Sequence, residues 1–178
     1  MSKIRLATVW LSGCSGCHMS LLDIDETLIE LADRFELCKS PLTDIKEFPE
    51  EGIDVTLIEG AVANAEHVEI ARKARKASKI VVALGDCAVT GNVPALRNGI
   101  PPEELIEEIY GPDVTVNGNL PHEGVPRLLA RVRPLNEVID VDYFIHGCPP
   151  PAGVIAKALV ALLDGREPQL VGKDLRFG

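Results

Sequence analysis

The sequence predicts an α/β fold, a flavodoxin-like doubly wound parallel sheet, in a single domain spanning residues 1–178. Short apolar runs rich in Val, Ile and Leu alternate with segments of helical periodicity, which is the pattern of βαβ units. Glycine-bearing turns follow several of the runs, and the length suits one domain with its own core. The periodicity leaves other doubly wound strand orders open.

Five strands are predicted from the apolar runs. They cover residues 4–11, 35–39, 54–59, 80–84 and 138–145. The first is apolar along most of its length, as expected for a strand that is covered on both faces.

Helices are predicted between these strands. The first follows strand one, where apolar residues recur at helical spacing: Leu21, Ile24, Leu28 and Leu31. A second covers residues 65–77, with acidic residues early and basic residues late, which suits the helix dipole. A third covers residues 152–164 and ends near Gly165.

Residues 88–137 interrupt the alternation and form a long insertion between strands four and five. Within it, Pro101–Pro102 predicts a helix start, since proline is common at the first helical position, and that helix should end near Tyr110. A second short helix is predicted over residues 124–132. Connections of this length are usually functional, and a surface insertion without a role is the alternative.

Composition limits the classes of partner. The net charge is −9 and 4% of residues are aromatic, which argues against nucleic acid and against an anionic membrane surface. No run approaches the roughly 20 apolar residues that span a bilayer, and no signal peptide or twin-arginine leader is seen. We therefore expect no membrane insertion, a cytoplasmic location and a protein partner.

Five cysteines are the main chemical signal. Cys14 and Cys17 follow strand one, Cys87 follows strand four and Cys148 follows strand five. Ligands of open α/β sheets bind beyond the carboxyl ends of the strands, so these four thiols should meet at one edge. Cys38 lies inside strand two and is expected to be a buried, inert thiol.

Four thiolates suit either tetrahedral zinc or an iron–sulfur cluster. Zinc sites usually pair two C-x-x-C hooks, whereas this chain has one hook and two single cysteines flanked by glycine. Glycine lets the backbone approach a bulky group, which favours a cluster. A zinc-stapled binding module and a dithiol oxidoreductase using Cys14 and Cys17 stay open. Gly13 and Gly16 could instead hold the phosphate of FMN, although thiols on neighbouring loops make FMN less favoured.

The motifs around these cysteines resemble those of the small subunit of nickel–iron hydrogenases. In chain order they are Trp10–Cys17 (WLSGCSGC), Glu59–Gly60, Gly85–Ala88 (GDCA) and Gly147–Pro150 (GCPP). The resemblance implies a flavodoxin-like domain with a proximal [4Fe-4S] cluster on Cys14, Cys17, Cys87 and Cys148. It also implies a large partner subunit that carries the Ni-Fe centre and splits hydrogen, so no catalytic residue and no complete active site are expected in this chain.

Longer members of that family carry further clusters in a C-terminal domain, whereas no cysteine follows Cys148 here. The chain therefore resembles the short small subunit of cytoplasmic, bidirectional NAD(P)-linked hydrogenases. The resemblance implies that electrons pass from the nickel–iron subunit through this cluster to iron–sulfur and flavin diaphorase subunits. The alternative is the cluster-bearing subunit of an NADH:quinone oxidoreductase-like complex, which shares the ending but carries adjacent cysteines where Ser15 and Gly16 separate Cys14 from Cys17 here.

Four further residues are candidates for contact with the cluster, namely Gly13, Gly16, His18 and Glu59. Glu59 ends strand three at the same edge, so it could lie near the cluster or simply be a polar strand end. His18 follows Cys17 and could hydrogen-bond near the cluster or cap a turn in solvent. His67 and His122 are predicted to be surface residues.

Overall fold

A parallel sheet of five strands forms the centre of the structure, a computed structural model that describes residues 3–114, 116 and 120–175. In these residues the strands are β1 (Ile4–Trp10), β2 (Phe35–Lys39), β3 (Ile53–Glu59), β4 (Val62–Asn64), β5 (Ser78–Leu84), β6 (Leu128–Arg133) and β7 (Tyr143–Ile145). The central sheet has the order β2-β1-β3-β5-β7 with every neighbouring pair parallel. This is the flavodoxin-like order, and the predicted fold class is confirmed.

The helices connect these strands. They are α1 (Gly16–Leu22), α2 (Glu26–Leu31), α3 (Ala65–Ala77), α4 (Asp86–Thr90), α5 (Pro102–Tyr110) and α6 (Ala152–Leu163), with 3-10 turns at Val93–Gly99, Leu135–Glu137 and Gly172–Leu175. Helix α3 has the predicted bounds, because the Asn64 side chain accepts the His67 N–H and caps its first turn. The first predicted helix is divided into α1 and α2, since Asp25 has a φ of 55°.

The core lies on both faces of the sheet. Alternate residues of β3 point to opposite sides, so Leu57 packs in the cluster that contains Ile155 and Leu159 of α6, and Ile58 packs in the cluster that contains Ala71 of α3. The strands are therefore apolar on both faces, which explains why they read as continuous apolar runs.

The predicted helix over residues 124–132 is wrong. Part of that segment is β6, which pairs antiparallel with β4 and places Val62 opposite Arg133. Val132 is buried between the exposed Arg131 and Arg133, which is the alternation of a strand rather than of a helix. Strand β4 is only three residues long, and no pattern in the sequence predicts it.

The fifth central strand is shorter than predicted, since β7 covers 143–145 rather than 138–145. Asp142 sets its start: its carboxylate accepts the Val81 N–H at 2.7 Å, while its own N–H donates to the Val81 carbonyl. The side chain thus takes a backbone donor of β5 that a longer strand would use.

The carboxyl ends of four central strands are in register. Trp10 pairs with Glu59, Glu59 with Leu84, and Leu84 with Ile145. The loops that follow β1, β3, β5 and β7 therefore begin side by side at one edge of the sheet. Among the described residues, no helix combines the length and apolar character that crossing a membrane requires.

Candidate functional site

The loops at this edge bring together the four thiols that the sequence predicts there. Cys14 and Cys17 lie between β1 and the first turn of α1, Cys87 lies in α4 directly after β5, and Cys148 lies in the loop after β7. We refer to the thiols of Cys14, Cys17, Cys87 and Cys148 as the thiol site. Cys14 and Cys148 are exposed, Cys87 is half-buried and Cys17 is buried.

The members of the thiol site are close enough to act on one another electrostatically. Burial raises the pKa of the Cys17 thiol, and the Glu59 carboxylate and the thiols of Cys87, Cys14 and Cys148 raise it further. The pKa of Cys87 is also raised, first by burial and then by Cys148 and Cys14. Thiolates in this arrangement repel one another and lack water, so they are poorly stabilised unless a positively charged group lies between them.

Gly85 brings the backbone of the Cys87 loop against Cys17. It has a φ of 82° and a ψ of 161°, which is a conformation essentially restricted to glycine. A Cβ atom on Gly85 would lie 2.2 Å from Cys17 Sγ. The close approach of backbone to thiol that the sequence suggests therefore occurs here.

The Cys87 and Cys148 loops are tied together by hydrogen bonds. The Asp86 carboxylate accepts the Gly147 N–H at 2.8 Å, and the Asp86 N–H donates to the Gly147 carbonyl at 2.9 Å. On the other side, the Ser20 hydroxyl donates to the Pro150 carbonyl and holds α1 against the Cys148 loop. The positions of three thiol-bearing loops are thus coupled.

Gly16 occupies a tight position in the first loop, whereas Gly13 has ordinary contacts. A Cβ on Gly16 would lie 3.2 Å from Cys14 Sγ, and one on Gly13 would lie 3.5 Å from Glu59 Oε1. Ser15, between the two cysteines, has a left-handed backbone with a φ of 63°. The cavity beside this loop, lined by Trp10, Leu11, Gly13, Cys14 and Ser15, measures about 220 Å³.

His18 and Glu59 form a buried pair beneath the thiol site. The His18 backbone N–H donates to Glu59 Oε2 at 2.9 Å, and the ring Nδ1 lies 2.5 Å from the same oxygen. Trp10 packs edge to face against the His18 ring at 5.6 Å between centroids. His18 is fully buried, so it does not cap a turn in solvent, and Glu59 is a strand-end residue that is 1% exposed. The ring Nε2 is buried without a hydrogen-bond partner.

Asn92 is a residue of the site that the sequence does not indicate. Its Nδ2 donates to Cys148 Sγ at 3.4 Å, and its side chain partly offsets the rise in the pKa of Cys87. An asparagine in a loop after a short helix carries no pattern that predicts such a contact. The signal exists only once the two cysteine loops are known to be adjacent.

The remaining candidates lie elsewhere or differ from expectation. Cys38 is buried in β2, and its thiol donates to the Glu36 carbonyl at 3.6 Å. His67 is half-buried rather than on the surface: its Nδ1 accepts the Ala63 N–H, and burial lowers its pKa. His122 is exposed, as predicted.

The four thiols can be compared with the two metal groups that the sequence suggests, a single zinc ion and an iron–sulfur cluster. In the part of the chain that the structure describes, no group of three or more His, Cys, Asp or Glu side chains is arranged to hold a metal ion. A single zinc would require its ligands to converge at about 2.3 Å from one point. Four thiols brought near one another by glycine-bearing loops fit the ligand set of a [4Fe-4S] cluster better.

Comparison with known proteins gives both a family and a set of relatives. A family model described as NADH ubiquinone oxidoreductase, 20 Kd subunit, matches residues 14–162. A subunit of the F420-non-reducing hydrogenase of Methanothermobacter thermautotrophicus is 44% identical over 179 residues, which cover 97% of this chain and 58% of the relative. The delta subunit of the NAD-reducing hydrogenase HoxS of Cupriavidus necator is 40% identical over 169 residues, 92% of this chain and 80% of the relative. The chain thus spans less than two thirds of the methanogen relative and most of the HoxS subunit.

Solved structures agree with these relatives. A chain of an NAD⁺-reducing NiFe hydrogenase in the H₂-reduced state has a TM-score of 0.93 and 43% identity, covering 99% of this chain and 100% of that one. A NiFeSe hydrogenase chain of Dm. baculatum has a TM-score of 0.61 at 19% identity, covering 98% of this chain and 69% of that one, and shows the shared fold. The resemblance to hydrogenase small subunits that the motifs indicate is confirmed.

Proposed function

Since the chain belongs to the family of the NADH ubiquinone oxidoreductase 20 Kd subunit, with hydrogenase subunits among its relatives, we propose that it is the electron-transfer subunit of an NAD(P)-linked nickel–iron hydrogenase. Its thiol site would hold the proximal [4Fe-4S] cluster. The nickel–iron centre would lie on a large partner subunit, and diaphorase subunits would take the electrons onward in the cytoplasm.

One observation carries the proposal: three loops that are far apart in sequence present four thiols at one sheet edge. The pKa of the buried Cys17 thiol is raised by its surroundings, and in this respect the site differs from that of a reactive dithiol, whose thiol pKa is lowered. The raised pKa argues against a reactive dithiol, and a dithiol of Cys14 and Cys17 would also leave Cys87 and Cys148 without a role. The iron of a cluster would supply the positive charge that four thiolates need.

Each part of the site has a role in this proposal. The bound cluster supplies one-electron chemistry, and the chain's own residues hold it and control its surroundings. The buried Cys17 and the His18–Glu59 pair exclude water from the inner side. Cys14 and Cys148 are exposed, so this outer side is the one that we expect a partner to cover.

Flavin is less compatible with the same edge. The cavity of about 220 Å³ beside the first loop is smaller than the roughly 300 Å³ at which ligand pockets begin. Helix α1 also has only seven residues and starts within the cysteine loop. These features support a cluster rather than FMN at this position.

A cluster-bearing subunit of an NADH:quinone oxidoreductase-like complex is the second candidate, because the family model covers that class as well. The first motif favours a hydrogenase, since Ser15 and Gly16 separate its two cysteines. Nickel analysis of the native complex separates the two candidates. A nickel-containing complex supports the hydrogenase, and a nickel-free complex that still contains iron supports the alternative.

The ligand set is tested by replacing one distant cysteine. We expect the full chain, produced anaerobically with its partner subunits, to hold about four irons in this site. Cys87→Ser should lose or convert this cluster and abolish hydrogen-dependent electron transfer, because one thiolate ligand is removed. Cys38→Ser is the matched control, since that thiol is buried in β2 and bonded to Glu36, and it should keep its iron. Unchanged iron in Cys87→Ser would contradict the proposed ligands.

A further inference from the structure

Asn92 has a backbone conformation that residues other than glycine rarely adopt. Its φ is 35° and its ψ is −132°, directly after Gly91, which ends α4 with a φ of 89°. Glycine would adopt these angles without strain, whereas a side chain there costs free energy. The contacts of this side chain therefore indicate what offsets that cost.

The Asn92 amide is directed at one member of the thiol site. Its Nδ2 donates to Cys148 Sγ at 3.4 Å, from the loop that directly follows the Cys87 helix α4. The side chain that occupies a strained backbone position thus donates a hydrogen bond to a thiol that is proposed to bind the cluster.

We propose that Asn92 is a positioning residue that raises the reduction potential of the cluster by donating an amide N–H group to the sulfur of Cys148. This inference rests on the proposed function, because it presupposes a cluster on the thiol site. Adding one electron to the cluster increases negative charge on its sulfurs, so a fixed N–H donor stabilises the reduced form more than the oxidised form.

The strained backbone of Asn92 also contributes to this role. With φ and ψ in this region, the loop turns immediately after α4, and the Ala95 N–H bonds both the Gly91 and Asn92 carbonyls. The 3-10 turn Val93–Gly99 then continues from a fixed point. The backbone that carries the Asn92 side chain is therefore held in place, at a distance from which the amide reaches Cys148.

Two substitutions test the amide. Asn92→Gly removes it while keeping a residue suited to the backbone angles, and Asn92→Asp keeps the shape but replaces the donor with a carboxylate. In the full chain, purified anaerobically with its partner subunits, iron and acid-labile sulfide are measured first. The cluster is then titrated with dithionite and followed by its electron paramagnetic resonance signal.

We expect both variants to keep their iron and to be harder to reduce than the wild type. At one fixed potential, the ratio of reduced to oxidised cluster should fall by about tenfold in Asn92→Gly, which is the ratio change given by a 59 mV shift of a one-electron couple. It should fall further in Asn92→Asp, because a negative charge then faces the sulfurs.

Asp25→Gly is the matched control for backbone strain. Asp25 has nearly the same angles as Asn92, with a φ of 55° and a ψ of −128°, and it is exposed at the start of α2. This variant relieves equivalent strain without removing a donor to sulfur, so its cluster should titrate as in the wild type.

The outcomes separate this proposal from the one on which it rests. A wild-type chain without iron would overturn the proposed function itself. A fully loaded Asn92→Gly cluster that titrates like the wild type would overturn the role of Asn92 alone. If Asn92→Gly loses its iron, the test rests on Asn92→Asp. An Asn92→Asp cluster that titrates like the wild type would then overturn the proposed role of Asn92.

Discussion

Gly85 lies so close to the thiol site that no side chain fits at this position. A methyl group there would meet Cys17 Sγ at 2.2 Å, and the backbone angles also disfavour any Cβ. We expect Gly85→Ala to lose stability by about 2 kcal/mol or more and to lose most of its iron, since the Cys17 thiol must move. Chemical denaturation and iron analysis measure the two effects.

Gly165→Ala is the control that separates the cost of backbone strain from the effect of displacing the Cys17 thiol. Gly165 also has a positive φ, of 68°, but a Cβ there would have no neighbour within 4 Å. That variant should lose about 1 kcal/mol from backbone strain and should keep its iron. Equal iron in the two alanine variants would show that the contact between Gly85 and Cys17 does not matter for the site.

Sequence alone predicts some residues of the site and misses others. The four cysteines are found because each follows an apolar strand, and parallel strands end at one edge. The pairing of His18 with Glu59 and the contact of Asn92 with Cys148 are not found. The first two residues are 41 positions apart in the sequence and the second two are 56 positions apart. No periodicity encodes a contact over such a separation.

Among the elements, those with a signal in their own residues are predicted well, and those that depend on a distant partner are predicted poorly. Helix α3 and strand β2 have the predicted bounds, and in α3 the acidic first turn and the basic last turn mark the two ends. Strand β6 is mistaken for a helix because it pairs with β4, a three-residue strand with no signal of its own. Strand β7 is predicted too long because the role of the Asp142 side chain cannot be read from hydropathy.

Asp142 also makes the packing of β5 against β7 dependent on pH. Burial tends to raise the pKa of its carboxyl, but hydrogen bonds from the Val81 N–H and from Arg75, at 2.7 and 2.6 Å, outweigh burial, and the pKa is lowered. A carboxyl whose pKa is lower in the folded state stabilises the fold above its ordinary pKa of about 3.9. That contribution is lost as the pH falls through the folded-state pKa.

The expected result for Asp142→Asn is a loss of up to about 1 kcal/mol at neutral pH, discounted because the side chain is 40% exposed. The difference from the wild type should shrink below about pH 4 and vanish once the wild-type carboxyl is protonated. Urea denaturation over a pH series measures it. Asp140→Asn removes a neighbouring exposed charge without these bonds, and an equal loss in that variant would refute the argument.

For the molecule as a whole, the distribution of apolar surface points to where a partner binds. The net charge is −9, yet the elements next to the thiol site carry exposed apolar side chains, namely Trp10, Met19, Val93 and Leu96. We call these four residues the apolar rim. Exposed apolar residues grouped around a functional site are typical of an interface, and obligate interfaces are more apolar than ordinary surface.

Leu96 is the most exposed residue of the apolar rim, at 79%, and it lies on the 3-10 turn that follows the Asn92 loop. Because it contacts little within this chain, Leu96→Asp should leave the fold and the iron content intact. In an assembled complex the aspartate would be buried without a partner, so we expect co-purification of the large subunit to fall by about tenfold or more. Ile29→Asp is the matched control: Ile29 is 75% exposed, but it lies on α2, outside the apolar rim, and that variant should assemble normally. If the two variants bind the large subunit equally well, the apolar rim is not the surface on which the proposed large subunit docks.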